Sequence, residues 1–167
     1  GLIRYYGISS IRPNVIQSFA SQSNIISVMM QYSLLDRRPE EWLSILKEHQ
    51  ISMIARGPIA KGILTEKTLK KSSTSIQENG FLDYSYNQLE SLLLSLKDHF
   101  STQRSIQEVA FQYILSCDVV GSVIPGASNA AQVIDNIKAV QAKPLTDEGL
   151  QFLRSITIAN KYQQHRL

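Results

Sequence analysis

Cysteine and histidine are scarce in this sequence, with one and three copies in 167 residues. A single thiol, Cys117, excludes an internal disulfide, and nothing of metal-ligand spacing surrounds it, which fits a reducing cytoplasm. No apolar run is long enough to cross a bilayer and no signal-peptide pattern opens the chain, so the expectation is a soluble cytoplasmic protein. Charge of one sign is lacking too: 17 Lys and Arg stand against 14 Asp and Glu, a net +3. These charges are scattered, which gives no support to a nucleic-acid or membrane-surface role. The densest basic cluster, Lys67, Lys70 and Lys71, lies in a polar stretch and reads as a solvated loop. No Gly-x-Gly-x-x-Gly fingerprint is present. What remains is ordinary globular composition, 43% hydrophobic and 19% charged, at a length that suits one domain.

Apolar runs of strand length alternate with amphipathic stretches of helical period. Strands are predicted at Ile3–Ile8, Ile25–Met30, Ile51–Ala55 and Val119–Ile124. Pro13 suits the first turn of a helix carrying Val15, Ile16, Phe19 and Ala20 on one face. Arg38-Pro39-Glu40-Glu41 starts a second helix, with carboxylates at the positive end of its dipole, and Trp42, Ile45 and Leu46 form its stripe. Residues 66–85 are predicted as a flexible loop. Leu89, Leu92, Leu93 and Leu96 mark an additional helix, Ser105 and Glu108 a capping box before the next, and 130–141 a further one. Thr146-Asp147-Glu148 starts a tail helix with Leu150, Leu153 and Ile156 inward. Such alternation implies parallel strands joined by helical crossovers. Two architectures fit: a doubly wound flavodoxin-like sheet, or half of a (β/α)8 barrel, whose full form takes about 250 residues. The chain opens at Gly1 almost inside its first strand, so either the domain starts abruptly or a segment precedes it.

Four stretches, GLIRYYGISS, QYSLLDRRPEE, ISMIARGPIAKGILTEK and SVIPGASNAAQVIDNI, resemble in order and spacing the second half of an aldo-keto reductase. The resemblance covers essentially the whole chain. It implies parallel β/α units forming strands 5 to 8 of a (β/α)8 TIM barrel, with residues 1–167 as the C-terminal half of the domain. It further implies an oxidoreductase that reduces aldehydes or ketones with NADP(H), NAD(H) being the alternative, held across the barrel mouth. In that family a Tyr, aided by Asp, Lys and His, is the general acid, and all four sit on the first four strands. His49, His99 and His165 do not follow strands, and Tyr5, Tyr6 and Tyr32 are not at the acid's place. The expectation is therefore a cofactor-binding half with no catalytic residue and no turnover of its own. The alternative is a non-catalytic nucleotide-binding regulatory or assembly subunit. Partners implied are a small carbonyl substrate in the intact enzyme, and self-association or pairing with an N-terminal half.

Residue by residue, the resemblance carries the nicotinamide carboxamide to Ser9 and Ser10, the second being shorter than the family's Asn; both hydroxyls could instead cap a helix. Met29 stands where many members have a Gln, and a thioether cannot donate, so it is an apolar wall or plain core. Arg56 replaces a Tyr that stacks on the nicotinamide; its planar cation can stack, or its head can simply meet solvent. Gly57, Pro58, Ile59 and Lys61 form the turn that faces the pyrophosphate. Gly126, Ala127, Ser128 and Gln132 are placed at the adenosine 2′-phosphate, where orphan N–H groups of a helix favour an anion, and Asn136 at the adenine. Asn129 with Gln132 is also a capping-box spacing that needs no ligand. No Arg or Lys lies in this turn, so a modest preference for NADP(H) is expected.

Overall fold

The computed structural model describes residues 1–66, 69–100 and 102–166, the Lys71 side chain excepted. Four parallel strands, β1 (Gly7–Ser9), β2 (Ser27–Gln31), β3 (Ser52–Arg56) and β4 (Val120–Ile124), lie side by side in chain order. Between and after them come α1 (Pro13–Gln22), α2 (Leu43–Glu48), α3 (Thr74–Asn79), α4 (Tyr86–Phe100), α5 (Ile106–Leu115), α6 (Ala130–Gln141) and α7 (Asp147–Ile156). A doubly wound sheet must reverse its strand order at a switch point. The uninterrupted order β1-β2-β3-β4 instead supplies four of the eight units of a closed cylinder.

The strands alternate in burial because successive side chains point to opposite faces. Val28, Met30, Met53 and Ala55 are buried against helical residues such as Ile16, Leu46, Leu89, Leu96, Val109 and Ile114. The opposite face carries Ser9, Met29, Ile54 and Ser122 in one register row, and Gln31, Arg56 and Ile124 in the next toward the strands' carboxyl ends. None of these seven is buried. This is the inner wall of the half-cylinder.

The helix caps follow the sequence. Pro13 occupies the first turn of α1, and Ser105 with Glu108 closes a reciprocal capping box on α5. Thr146 caps α7 by accepting from the Gly149 N–H at 3.2 Å. Two expectations change. The first strand begins at Gly7 rather than Ile3: upstream, among the described residues, only the Tyr6 carbonyl is engaged, by Ile26 N–H at 3.0 Å, and Ile3 and Tyr5 are exposed. An apolar run is a strand only where a ladder partner exists. The 66–85 stretch contains α3 and a tight turn pairing Phe81 with Tyr84, pinned by buried Leu69, Ile76 and Tyr84. Within that stretch, Lys67 and Thr68 lie outside the described residues. Asn79-Gly80 ends α3, with Gly80 at φ 72 and ψ −152, a backbone that glycine adopts without a side-chain clash.

Candidate functional site

The turn after β3 has an unusual backbone. Gly57, Ala60, Lys61 and Gly62 all have positive φ (67, 47, 57 and 90°). Two successive non-glycine residues in the left-handed region cost about 1 kcal/mol each, so surrounding structure must impose the shape. It does: Ala60 N–H donates to Gly57 O at 3.0 Å, and both Gly62 and Leu64 N–H groups donate to Ile59 O. Pro58, Ala60, Ile63 and Leu64 are buried beneath, while Lys61 is exposed at the crest.

The turn after β4 is capped from within. Gln132 N–H donates to Asn129 Oδ1 at 3.0 Å, and Gln132 Oε1 accepts from the Ser128 N–H at 2.7 Å and the Ser128 hydroxyl at 3.1 Å. Asn129 thus caps α6, but the reciprocal half of a capping box is not made, because the Gln132 side chain turns to Ser128 instead of the Asn129 N–H. Among the described residues this cap leaves the Ala130 and Ala131 N–H groups without acceptors. Ala127 and Ser128 are exposed, and nothing lies within 4 Å of where a Gly126 Cβ would stand. Asn136 is only 6% exposed; its Oδ1 accepts from Gln107 Nε2 at 2.8 Å and its Nδ2 faces Gly126 O at 3.5 Å.

Between these two turns and the first turn of α5 runs a groove of about 910 Å³, at the upper end of the size of ligand pockets. It brings Gly57, Ile59 and Lys61 together with Gly126, Gln132 and Asn136. Pro58 is buried beside it, and Ala127 and Ser128 stand on its turn without lining it. Ser9, Ser10, Met29 and Arg56 are apart from it. Ser9 is paired with Met29 on the inner wall, and Ser10 N–H donates to Met29 O at 3.1 Å while its hydroxyl accepts from Arg12 N–H. Arg56 is exposed on the same wall, between Gln31 and Ile124. The candidate residues therefore form two groups, one at the strand ends and one in the groove.

Of the groove residues that sequence reasoning did not assign, two make bonds between distant segments. Glu66 Oε1 accepts from the Ile106 N–H at 2.8 Å, tying the β3 turn to the positive end of α5, and Gln107 holds Asn136. Sequence reasoning also missed a polar hub behind β2. Glu40 accepts from the Tyr113 hydroxyl at 2.5 Å, the Tyr32 hydroxyl at 3.3 Å and the Arg37 guanidinium at 2.8–3.1 Å. Burial, then the Glu40 carboxylate, pushes both phenols above the ordinary tyrosine range. The Arg37–Glu40 spacing of three was the available signal. Tyr32 is thus a hub residue, and Tyr5 and Tyr6 lie exposed ahead of β1. His49 ends α2, His99 stacks on Phe152 and His165 on Tyr162, so none borders the groove. Among the described residues no His, Cys, Asp or Glu group is placed to hold a metal, and no helix is long and apolar enough to cross a membrane.

Comparison with known proteins places this geometry. The uncharacterized oxidoreductase YqkF of Bacillus subtilis is 51% identical over 166 residues, which cover 99% of this chain and 54% of YqkF. The aldo-keto reductase AKR11C1 from Bacillus halodurans superposes with a TM-score of 0.90 in its apo form, at 48% identity, covering 100% of this chain and 56% of that one. Its holo form gives a TM-score of 0.89. The chain spans about half the length of these relatives, and its four parallel units form half a barrel of their type. The sequence model of the Aldo/keto reductase family matches residues 1–158, and the chain belongs to that oxidoreductase family.

Proposed function

We propose that this chain is the cofactor-holding, C-terminal half of an NADP(H)-linked aldo-keto reductase that converts aldehydes and ketones to alcohols. The observation that carries the reading is the groove: residues 69 apart in sequence, Gly57 and Gly126, line one cleft with Lys61, Gln132 and Asn136. The fit to a dinucleotide rests on the chain's own groups. The left-handed turn 57–62 is held rigid before any ligand arrives. The open space at Gly126 and the free N–H groups of Ala130 and Ala131 accommodate an anion at a helix start. Gly57, Ile59 and Lys61 would border the pyrophosphate, with Pro58 bracing the turn. Gly126, Ala127, Ser128 and Gln132 would border the 2′-phosphate, and Asn136 the adenine. Ser9, Ser10, Met29 and Arg56 would flank the nicotinamide. The cofactor, when bound, supplies the hydride for carbonyl reduction.

On this reading the residues of this chain hold and orient the cofactor, and the proton comes from the family's Tyr, which the resemblance assigns to the first four strands. Turnover would need the family's Asp, Tyr, Lys and His, expected on a separate half. The inner wall supports an unlike complement: Ser9, Ser27, Ser52 and Ser122 are small, whereas closed barrels fill their interior with bulky side chains. Exposed Ile124, Val133, Ile134, Ile137 and Val140 at the β4–α6 edge are the apolar surface such a half would cover. The reducing cytoplasm is the compartment this reading assigns. The test is titration of the chain with NADPH by fluorescence, followed by a steady-state assay with a reactive aldehyde. Saturable binding with no rate above background is expected; rates like those of a full-length reductase would refute the division of labour, and no binding would refute the cofactor role.

A further inference from the structure

Two side-chain amides meet at the wall of the groove. Gln107, in the first turn of α5, donates through Nε2 to Asn136 Oδ1 at 2.8 Å, and Asn136 Nδ2 faces the Gly126 carbonyl at 3.5 Å. A carbonyl can only accept, so the atom facing it is the Asn136 nitrogen. The Asn136 oxygen then faces Gln107, which must present its own nitrogen. One backbone carbonyl thus fixes the orientation of both amides. What is left over is fixed as well: Gln107 Oε1, one Gln107 N–H and one Asn136 N–H have no partner among the described residues, and both side chains line the groove.

Resting on the cofactor reading above, we infer that Gln107 is a specificity-determining residue for the purine base. Its fixed Oε1 accepts from the exocyclic 6-amino group of adenine, beside an Asn136 N–H that donates to a ring nitrogen. A base with oxygen at position 6 sets two acceptors against each other. Gln107 cannot relieve this by rotating its amide, because its oxygen would then oppose Asn136 Oδ1.

The probes are NADPH and its hypoxanthine counterpart, in which the 6-amino group is replaced by oxygen, each titrated by fluorescence against the 167-residue chain. The wild type is expected to bind the adenine form about tenfold more tightly, the scale of one hydrogen bond exchanged for an unmet polar pair. Gln107→Leu is expected to bring that ratio close to one. Gln107→Met, closer in shape, undergoes the same titration if circular dichroism finds the Leu variant unfolded. A wild-type ratio near one overturns the inference while leaving the cofactor reading intact. A ratio unchanged in the variant, with both dinucleotides weakened alike, overturns it as well, since that is the mark of a purely structural contact. Failure of the wild type to bind either dinucleotide overturns the cofactor reading and this inference with it.

Discussion

The two faces of the four-stranded sheet differ in kind. One is finished: Val28, Met30, Met53 and Ala55 lie under helices, 1% exposed or less. The other is a wall of Gly7, four serines, Met29 and Ile54, with polar or charged Gln31 and Arg56 at its rim. The finished face accounts for the stability of this chain. Under the proposed function the unfinished one faces the nicotinamide and an N-terminal half, and apart from Gly7 its side chains can vary with little cost to the fold.

Neighbouring residues on β3 give the sharpest contrast. Met53→Ala should lower unfolding free energy by about 3 kcal/mol, whereas Ile54→Ala, one position along and facing inward, should cost under about 1 kcal/mol in this chain alone. Urea denaturation of both variants checks this, and equal losses would erase the distinction between the faces. Next in size, Gly7→Ala should cost about 2 kcal/mol. Its Cβ would stand 2.6 Å from the Ser27 carbonyl oxygen, a backbone atom that cannot step aside without parting β1 from β2.

The hub behind β2 belongs to the finished side and makes it sensitive to alkali. Tyr32 and Tyr113 are held above their ordinary range by burial and by Glu40. A group whose folded pKa is raised keeps its full contribution below the unfolded value, about 10 for tyrosine, and loses it as pH climbs beyond. Urea midpoints should therefore be flat for this hub up to about pH 10 and fall above it. A midpoint that does not fall there would mean the phenols ionise alike in both states. The smallest effect on stability is expected at the rim: Arg56→Ala should change it by no more than about 0.5 kcal/mol. If Arg56 stacks on the nicotinamide, its positive charge favours the neutral reduced ring over the oxidised cation. The variant should then lose part of a preference for NADPH over NADP⁺, read from the two dissociation constants.

Local signals in the sequence were legible and long-range ones were not. Helix 130–141 and the Ser105–Glu108 capping box appear as read, because hydrophobic period and caps are written within a few residues of one another. Ile3–Tyr6 was misread because strand composition says nothing about whether a neighbour is present to pair with. The short α3 escaped because only Ile76 anchors it. In the groove, Gly57, Lys61, Gly126 and Asn136 came from the resemblance. Glu66 and Gln107 could not, since their contacts join residues 40 and 29 apart whose proximity only the fold creates.

The tail carries a practical lesson. Asn160 accepts from the Arg37 N–H at 2.8 Å, Arg37 donates in turn to the Thr157 carbonyl and hydroxyl, and the Tyr84 hydroxyl accepts from the Ile158 N–H at 2.6 Å. A purification handle or fluorescent label belongs after this latch, past Tyr162. A shortened version that stops before Thr157 would lose its grip on the segment joining β2 to α2, and should express poorly even though every residue of the groove is kept.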